Sequence, residues 1–96
     1  MIGGFGDSAT ADVFHGVNSK ESRRIPKELW AVARRKLDML NSAHDIRDLH
    51  IPPANRLEPL KGKMAGKWSI RINDQFRIVF RFQGGNATDV RIADYH

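Results

Sequence analysis

Cysteine is absent from this chain. That rules out a disulfide framework and a thiolate metal site, and it suits a reducing, cytoplasmic setting. Long apolar runs are missing too. No stretch approaches the roughly 20 residues that a membrane-crossing helix needs. The opening Met1-Ile2-Gly3-Gly4-Phe5-Gly6 lacks the charged start and extended apolar stretch of a signal peptide. There is no Gly-rich phosphate loop of the Walker or Rossmann type and no nucleophilic-serine motif. Neither internal repeats nor low-complexity segments are visible.

What remains is 96 residues, 41% hydrophobic and 28% charged, which fits one small globular domain, 1–96, with a modest core. Its net charge of +5 is unevenly placed. Residues 1–55 hold eight Lys/Arg and seven Asp/Glu, whereas residues 56–96 hold eight and four. A basic excess in one half suits a polyanionic partner, either nucleic acid or an acidic protein.

Met1 to Phe5 reads as a short opening strand, weakened by its glycines. Asp7-Ser8 caps a short helix in which Phe14 and Val17 bracket His15 and Gly16 marks the end. Asn18 to Ser22 is a polar loop. The strongest helix is expected from about Pro26 to Leu40, with proline at its first position. There Leu29, Trp30, Ala33, Leu37 and Leu40 form one apolar stripe, and Lys27, Arg34, Arg35 and Asp38 take the wet side. A second helix is expected to start at Ser42, with Asp45 completing a near capping box and Ile46 and Leu49 buried. Pro52-Pro53 then predicts an extended linker.

Beyond Asn55 the apolar period changes from a helical one to two. Strands are expected over Gly66–Ile72 and Phe76–Phe82, with a final strand whose core face starts at Val90 and Ile92. Asn73-Asp74 and Gly84-Gly85-Asn86 are turn signals. Trp68, Ile70, Ile72, Phe76, Ile78, Phe80 and Phe82 fall on one face, and the opposite face collects Lys67, Arg71, Arg77 and Arg81. The expected fold is therefore α+β: helices covering the apolar face of a three-stranded antiparallel meander.

Three constellations carry candidate chemistry. The basic sheet face is either a solvated surface or a phosphate-binding one, since a guanidinium holds two phosphate oxygens and neutralises charge growing in a transition state. The closing Asp94-Tyr95-His96 is either a frayed tail or a site edge. In the second reading imidazole carries protons, the carboxylate orients it and the phenol stacks on a base. Strict alternation from Val90 and Ile92 sends Asp94 and His96 toward the core side, so a bulge or a strand leaving the sheet is required to re-aim them. Glu58 and Lys61 flank Pro59-Leu60, as a surface ion pair or as a carboxylate and ammonium at the mouth of the sheet. His15, His44 and His50 have no metal-ligand spacing and fit surface or helix-end roles.

Asn55-Arg56-Leu57-Glu58-Pro59-Leu60-Lys61-Gly62, then Trp68-Ser69-Ile70-Arg71-Ile72-Asn73-Asp74-Gln75-Phe76-Arg77, then Asp94-Tyr95-His96 together resemble the HigB toxins, the plasmid maintenance killer branch of the RelE/ParE superfamily. Upstream, Met1-Ile2, the run from Arg34 to Ala43 and the segment Asp45 to Leu49 extend the likeness along nearly the whole chain. The resemblance implies a RelE-like fold with an N-terminal strand and two to three helices on one face of a mainly antiparallel sheet. It implies a cytoplasmic toxin that enters the ribosomal A site and cleaves messenger RNA without a metal or cofactor. A HigA-like helix-turn-helix antitoxin would neutralise it, and operator DNA would be bound indirectly, through that antitoxin.

By the same resemblance Asp94, Tyr95 and His96 belong to the active site, Arg77 stabilises the strained phosphate and Lys61 helps to hold the RNA backbone. Lys67, Arg71 and Arg81 join Lys61 as RNA-binding candidates. The chain departs from the best-studied pattern at Glu58, where that pattern has histidine before Pro-Leu-Lys-Gly. Glu58 takes the general-base role, with Lys61 setting its basicity, or His96 acts alone, or the departure means slower cleavage. A rival of another class is a non-enzymatic, ParE-like inhibitor of DNA gyrase, which would not need the terminal triplet. A basic RNA-binding module without turnover is the third reading.

Overall fold

The computed structural model describes residues 1–94. Two helices, α1 (Ser8–His15) and α2 (Trp30–Ser42), precede four strands: β1 (Glu58–Pro59), β2 (Trp68–Arg71), β3 (Phe76–Gln83) and β4 (Asn86–Asp94). The strands pair antiparallel in the order β1-β2-β3-β4. The opening segment runs parallel to β4 on its free side, bridging at Ile2–Ala87 and Phe5–Val90. Gly3 and Gly4 lie between these bridges, and with no side chains to pack, the segment stays short of a continuous strand.

Both ends of α1 have a local cause. The Asp7 carboxylate accepts from Thr10 N at 2.8 Å and starts α1. Gly16, at φ 73°, stops it in the left-handed conformation that glycine reaches most cheaply. The expected helix from Pro26 begins as a single 3₁₀ turn, Lys27–Leu29, and becomes α-helical at Trp30. It then runs through Ser42, so Ser42 ends this helix and does not open the next. The second expected helix is the 3₁₀ turn Ile46–His50, capped reciprocally by Asp45 and Asp48. The expected linker at Pro52-Pro53 is partly turned, because Pro53–Asn55 makes a further 3₁₀ turn.

The predicted apolar stripes close on one another. Ala33, Leu37 and Leu40 of α2 and Val13 of α1 meet Ile70, Ile78, Phe80, Ala87 and Val90 of the sheet, all at or near zero exposure. Trp68, Phe76, Phe82 and Ile92 pack at the margin. Lys27, Arg34, Arg35 and Asp38 face water as expected, whereas Lys36 is buried at 6% exposure. Its ammonium donates to Asn55 Oδ1, and Asn55 Nδ2 donates to the carbonyls of Leu49 and Ile51. A polar bolt thus joins α2 to the turns beside it.

β4 is gripped on both edges. Between the pairs Val79–Arg91 and Arg81–Thr88, β3 advances two residues and β4 three. The extra residue forms a bulge, with Asp89 at φ 51°. On the other edge, Gly3 N and Gly6 N donate to Ala87 O and Val90 O. Ile92 N donates to the buried Thr10 hydroxyl at 2.9 Å. Among the described residues, no helix is long and apolar enough to cross a membrane.

Candidate functional site

The sheet face away from the helices is not the plain solvated surface that alternation alone allows. Ser69, Arg77 and Val79 are all buried on it, and Leu60 and Val79 lie outside the main core cluster. Ser69 stands between Glu58 and Val79 in cross-strand register. Sequence position had already put Lys67, Arg71, Arg77 and Arg81 on this face, and the register agrees.

Arg77 is the most tightly held of them. Its Nε donates to Ser69 Oγ at 2.8 Å, and its Nη2 donates to Arg56 O at 2.7 Å. Arg56 turns its carbonyl there from a left-handed conformation, φ 45°, at the end of the 3₁₀ turn Pro53–Asn55. Glu58 Oε1 lies 3.7 Å from Arg77 Nη2. The carboxylate that sequence spacing paired with Lys61 is therefore drawn to Arg77. Lys61 is exposed at the start of the turn Gly62–Met64.

Arg71 and Arg77 stand directly opposite each other on β2 and β3. Two like charges in that arrangement repel. Each is balanced by an acid, Arg71 by an ion pair with Asp74 and Arg77 by Glu58. A fold selected for stability alone has little reason to place two guanidinium groups face to face. A site built for a polyanion has one.

The remaining cations extend the face. Lys67 reaches from the start of β2 to Asp89 on β4, with Nζ 2.9 Å from Oδ2, so its stem crosses β3. Asp89 also receives Arg91 Nε at 3.1 Å and Nη2 at 3.0 Å. The hydrogen bond from Lys67, and then that from Arg91, hold the Asp89 carboxyl below the usual carboxylate range. Arg81 is exposed opposite Thr88 and lies beside Gly66. Ser69, Asp89 and Arg91 were not singled out from sequence. The signal for Arg91 was present, because Val90 and Ile92 face the core and the residue between them must face away.

Asp94 closes β4 in register with Phe76, on the parity of Ile92, and accepts from Gln75 Nε2 at 3.1 Å. The bulge falls upstream of Val90, so it leaves the parity of Asp94 as alternation predicts. Among the described residues, the carboxylate beside Arg77 is that of Glu58. Tyr95 and His96 lie outside the described residues. His15, His44 and His50 are exposed, His15 at the last turn of α1 against Phe5 and Phe14. Among the described residues, no three or more His, Asp or Glu side chains are grouped to hold a metal ion.

Comparison with known proteins places the fold and the family of the chain. A solved YoeB–YefM complex from Staphylococcus aureus contains a chain with the same fold, at TM-score 0.62 and 14% identity, covering 100% of this chain and 98% of that one. A Haemophilus influenzae protein of unassigned function is 39% identical over 67 residues, 70% of this chain and 66% of its own length. Toxin HigB-1 of Vibrio cholerae is 41% identical over 70 residues, 73% of this chain and 74% of that protein. Endoribonuclease HigB of Proteus vulgaris is 36% identical over 84 residues, 88% of this chain and 82% of that protein. The family described as RelE-like toxin of type II toxin-antitoxin system HigB matches residues 8–96. On these likenesses and on its fold, the chain belongs to the HigB-like family of type II toxin–antitoxin toxins.

Proposed function

We propose that this chain is a ribosome-dependent endoribonuclease that cuts messenger RNA in the A site and so arrests translation. The observation that carries the reading is the pinned Arg77 guanidinium, opposite Arg71 and 3.7 Å from Glu58, on a face lined with further cations. The name of the Proteus vulgaris relative supports RNA as the substrate.

The reaction asks little covalent chemistry of the protein. The 2′-hydroxyl of the RNA attacks the adjacent phosphorus, a P–O2′ bond forms and the P–O5′ bond breaks. A 2′,3′-cyclic phosphate and a 5′-hydroxyl remain. Arg77, fixed before substrate arrives, neutralises the extra charge of the phosphorane. In this proposal Glu58 takes the 2′-hydroxyl proton. His96 is the proton donor, to the departing 5′-oxygen. Tyr95 stacks on a base, and Lys61, Lys67, Arg71 and Arg81 hold the flanking backbone. The ribosome supplies the in-line alignment that no small sheet can impose alone. A HigA-like helix-turn-helix antitoxin silences the toxin and links it to operator DNA.

Primer extension on translated transcripts tests this reading. Codon-phased cuts that persist in EDTA are expected, and Arg77→Ala should slow cleavage by about 10²–10³-fold. DNA breaks without RNA cuts would replace the reading with a gyrase poison. RNA binding without cuts would reduce it to a binding module.

A further inference from the structure

The mechanism leaves Arg91 without a task, yet its side chain is unusually well seated. Arg91 pairs with Val79 and so shares the face of Ser69 and Arg77. Its neighbour across the diagonal is Arg77, which pairs with Ala93. The Arg91 side chain leans away from Arg77, along β4 toward Asp89 and over Gly6, so a phosphate it holds lies farther along the face than the one at Arg77.

Two features fix the guanidinium in place. Asp89, turned outward by the bulge, holds Nε and Nη2 at once. Beneath it the backbone is bare. A Cβ on Gly6 would fall 2.3 Å from Arg91 Nε and 2.5 Å from Asp89 Oδ1, so only glycine leaves room for this arrangement. Despite these contacts the Arg91 side chain keeps 48% exposure, whereas Lys67, held by the same carboxylate, keeps 13%. Two cations on one carboxylate also leave the cluster with a net positive charge. A half-exposed i,i+2 ion pair adds little to stability, so stability alone does not account for so built an arrangement.

We propose that Arg91, oriented by Asp89 over the bare backbone of Gly6, is a phosphate subsite for an RNA phosphodiester flanking the one at Arg77. The subsite rests on the RNA-cleaving reading for its substrate class and acts in binding. Asp89 and Lys67 are positioning residues behind it. The phosphodiester belongs either to the message or to ribosomal RNA, and both present the same anionic oxygens to a guanidinium.

The test measures the salt dependence of binding in two arms, a 2′-O-methyl single-stranded oligoribonucleotide that cannot be cleaved and vacant ribosomes. Arg91→Ala is expected to weaken binding and to lower the slope of log K against log salt by about 0.7 for the single strand. Arg91→Lys should retain the slope. On programmed ribosomes the loss should fall on KM, with kcat held. A slope change in the oligonucleotide arm assigns the phosphate to the message, and a change in the ribosome arm alone assigns it to ribosomal RNA. Unchanged slopes in both arms overturn the proposal, and so does a loss confined to kcat. If the wild-type protein cuts no RNA while the slope change persists, the cleavage reading fails and the subsite stands.

Discussion

At the scale of single residues, the most consequential departure from amphipathic patterning is Lys36. Lysine is rarely buried unless its charge has a partner. Here burial first, and then the charges of Arg35 and Arg71, hold its pKa below the usual lysine value. At this group the folded state binds fewer protons than the unfolded state between that lowered value and 10.5, so its contribution makes stability rise with pH across this window. Lys36→Met should abolish that alkaline rise in denaturation curves run at several pH values. Asn55→Ala should destabilise the protein by about 2–3 kcal/mol, because it strands a buried ammonium and the carbonyls of Leu49 and Ile51. Denaturant titration at fixed pH measures it. Neither residue was readable in advance, since the partner of Lys36 lies 19 positions away across a turn that patterning does not forecast. Arg77 was readable as a member of the basic face. Its anchoring by Ser69 and by the carbonyl of Arg56 was not, because those bonds depend on register and on a left-handed backbone at Arg56.

At the scale of elements, signals carried by side-chain chemistry were legible and those carried by length were not. Asp7 and Gly16 marked both ends of α1 correctly because a carboxylate acceptor and a left-handed φ are local requirements. Asp7→Ala should cost about 1 kcal/mol, and Gly16→Ala about 1–2 kcal/mol, both read as shifts in the denaturation midpoint. The alternation of β2, β3 and β4 was legible for the same kind of reason, since a two-residue period needs only an apolar face. By contrast, Ile46–His50 is too short for apolar spacing to distinguish a 3₁₀ turn from an α-helix. β1 is two exposed residues, one of them proline, and it exists only because β2 offers an edge to pair with. That small strand nevertheless delivers Glu58 to Arg77, so the least predictable element supplies half of the candidate catalytic pair.

At the scale of the molecule, charge and layering were legible together. Helices cover one sheet face and cations gather on the other, which separates the part that folds the chain from the part proposed to meet a polyanion. The depressed carboxyl of Asp89 ties the two, since its contribution to stability is present above the ordinary carboxylate value and fades as pH falls through its lowered folded value. Asp89→Asn should flatten that acid limb, measured as unfolding midpoint against pH. Strand order has a further implication for how the protein is made. β4 lies between β3 and the opening segment, so an interior strand of the assembled sheet is the last of these elements to be synthesised. Until it arrives, Met1–Phe5 has no strand to pair with, and β3 ends in an unfilled edge. A chain halted before residue 86 should give no cooperative unfolding transition, by calorimetry or circular dichroism. Under the proposed activity, a toxin message severed anywhere upstream of the β4 codons yields only unfolded fragments. On that proposal, each such cut would remove a source of new folded copies.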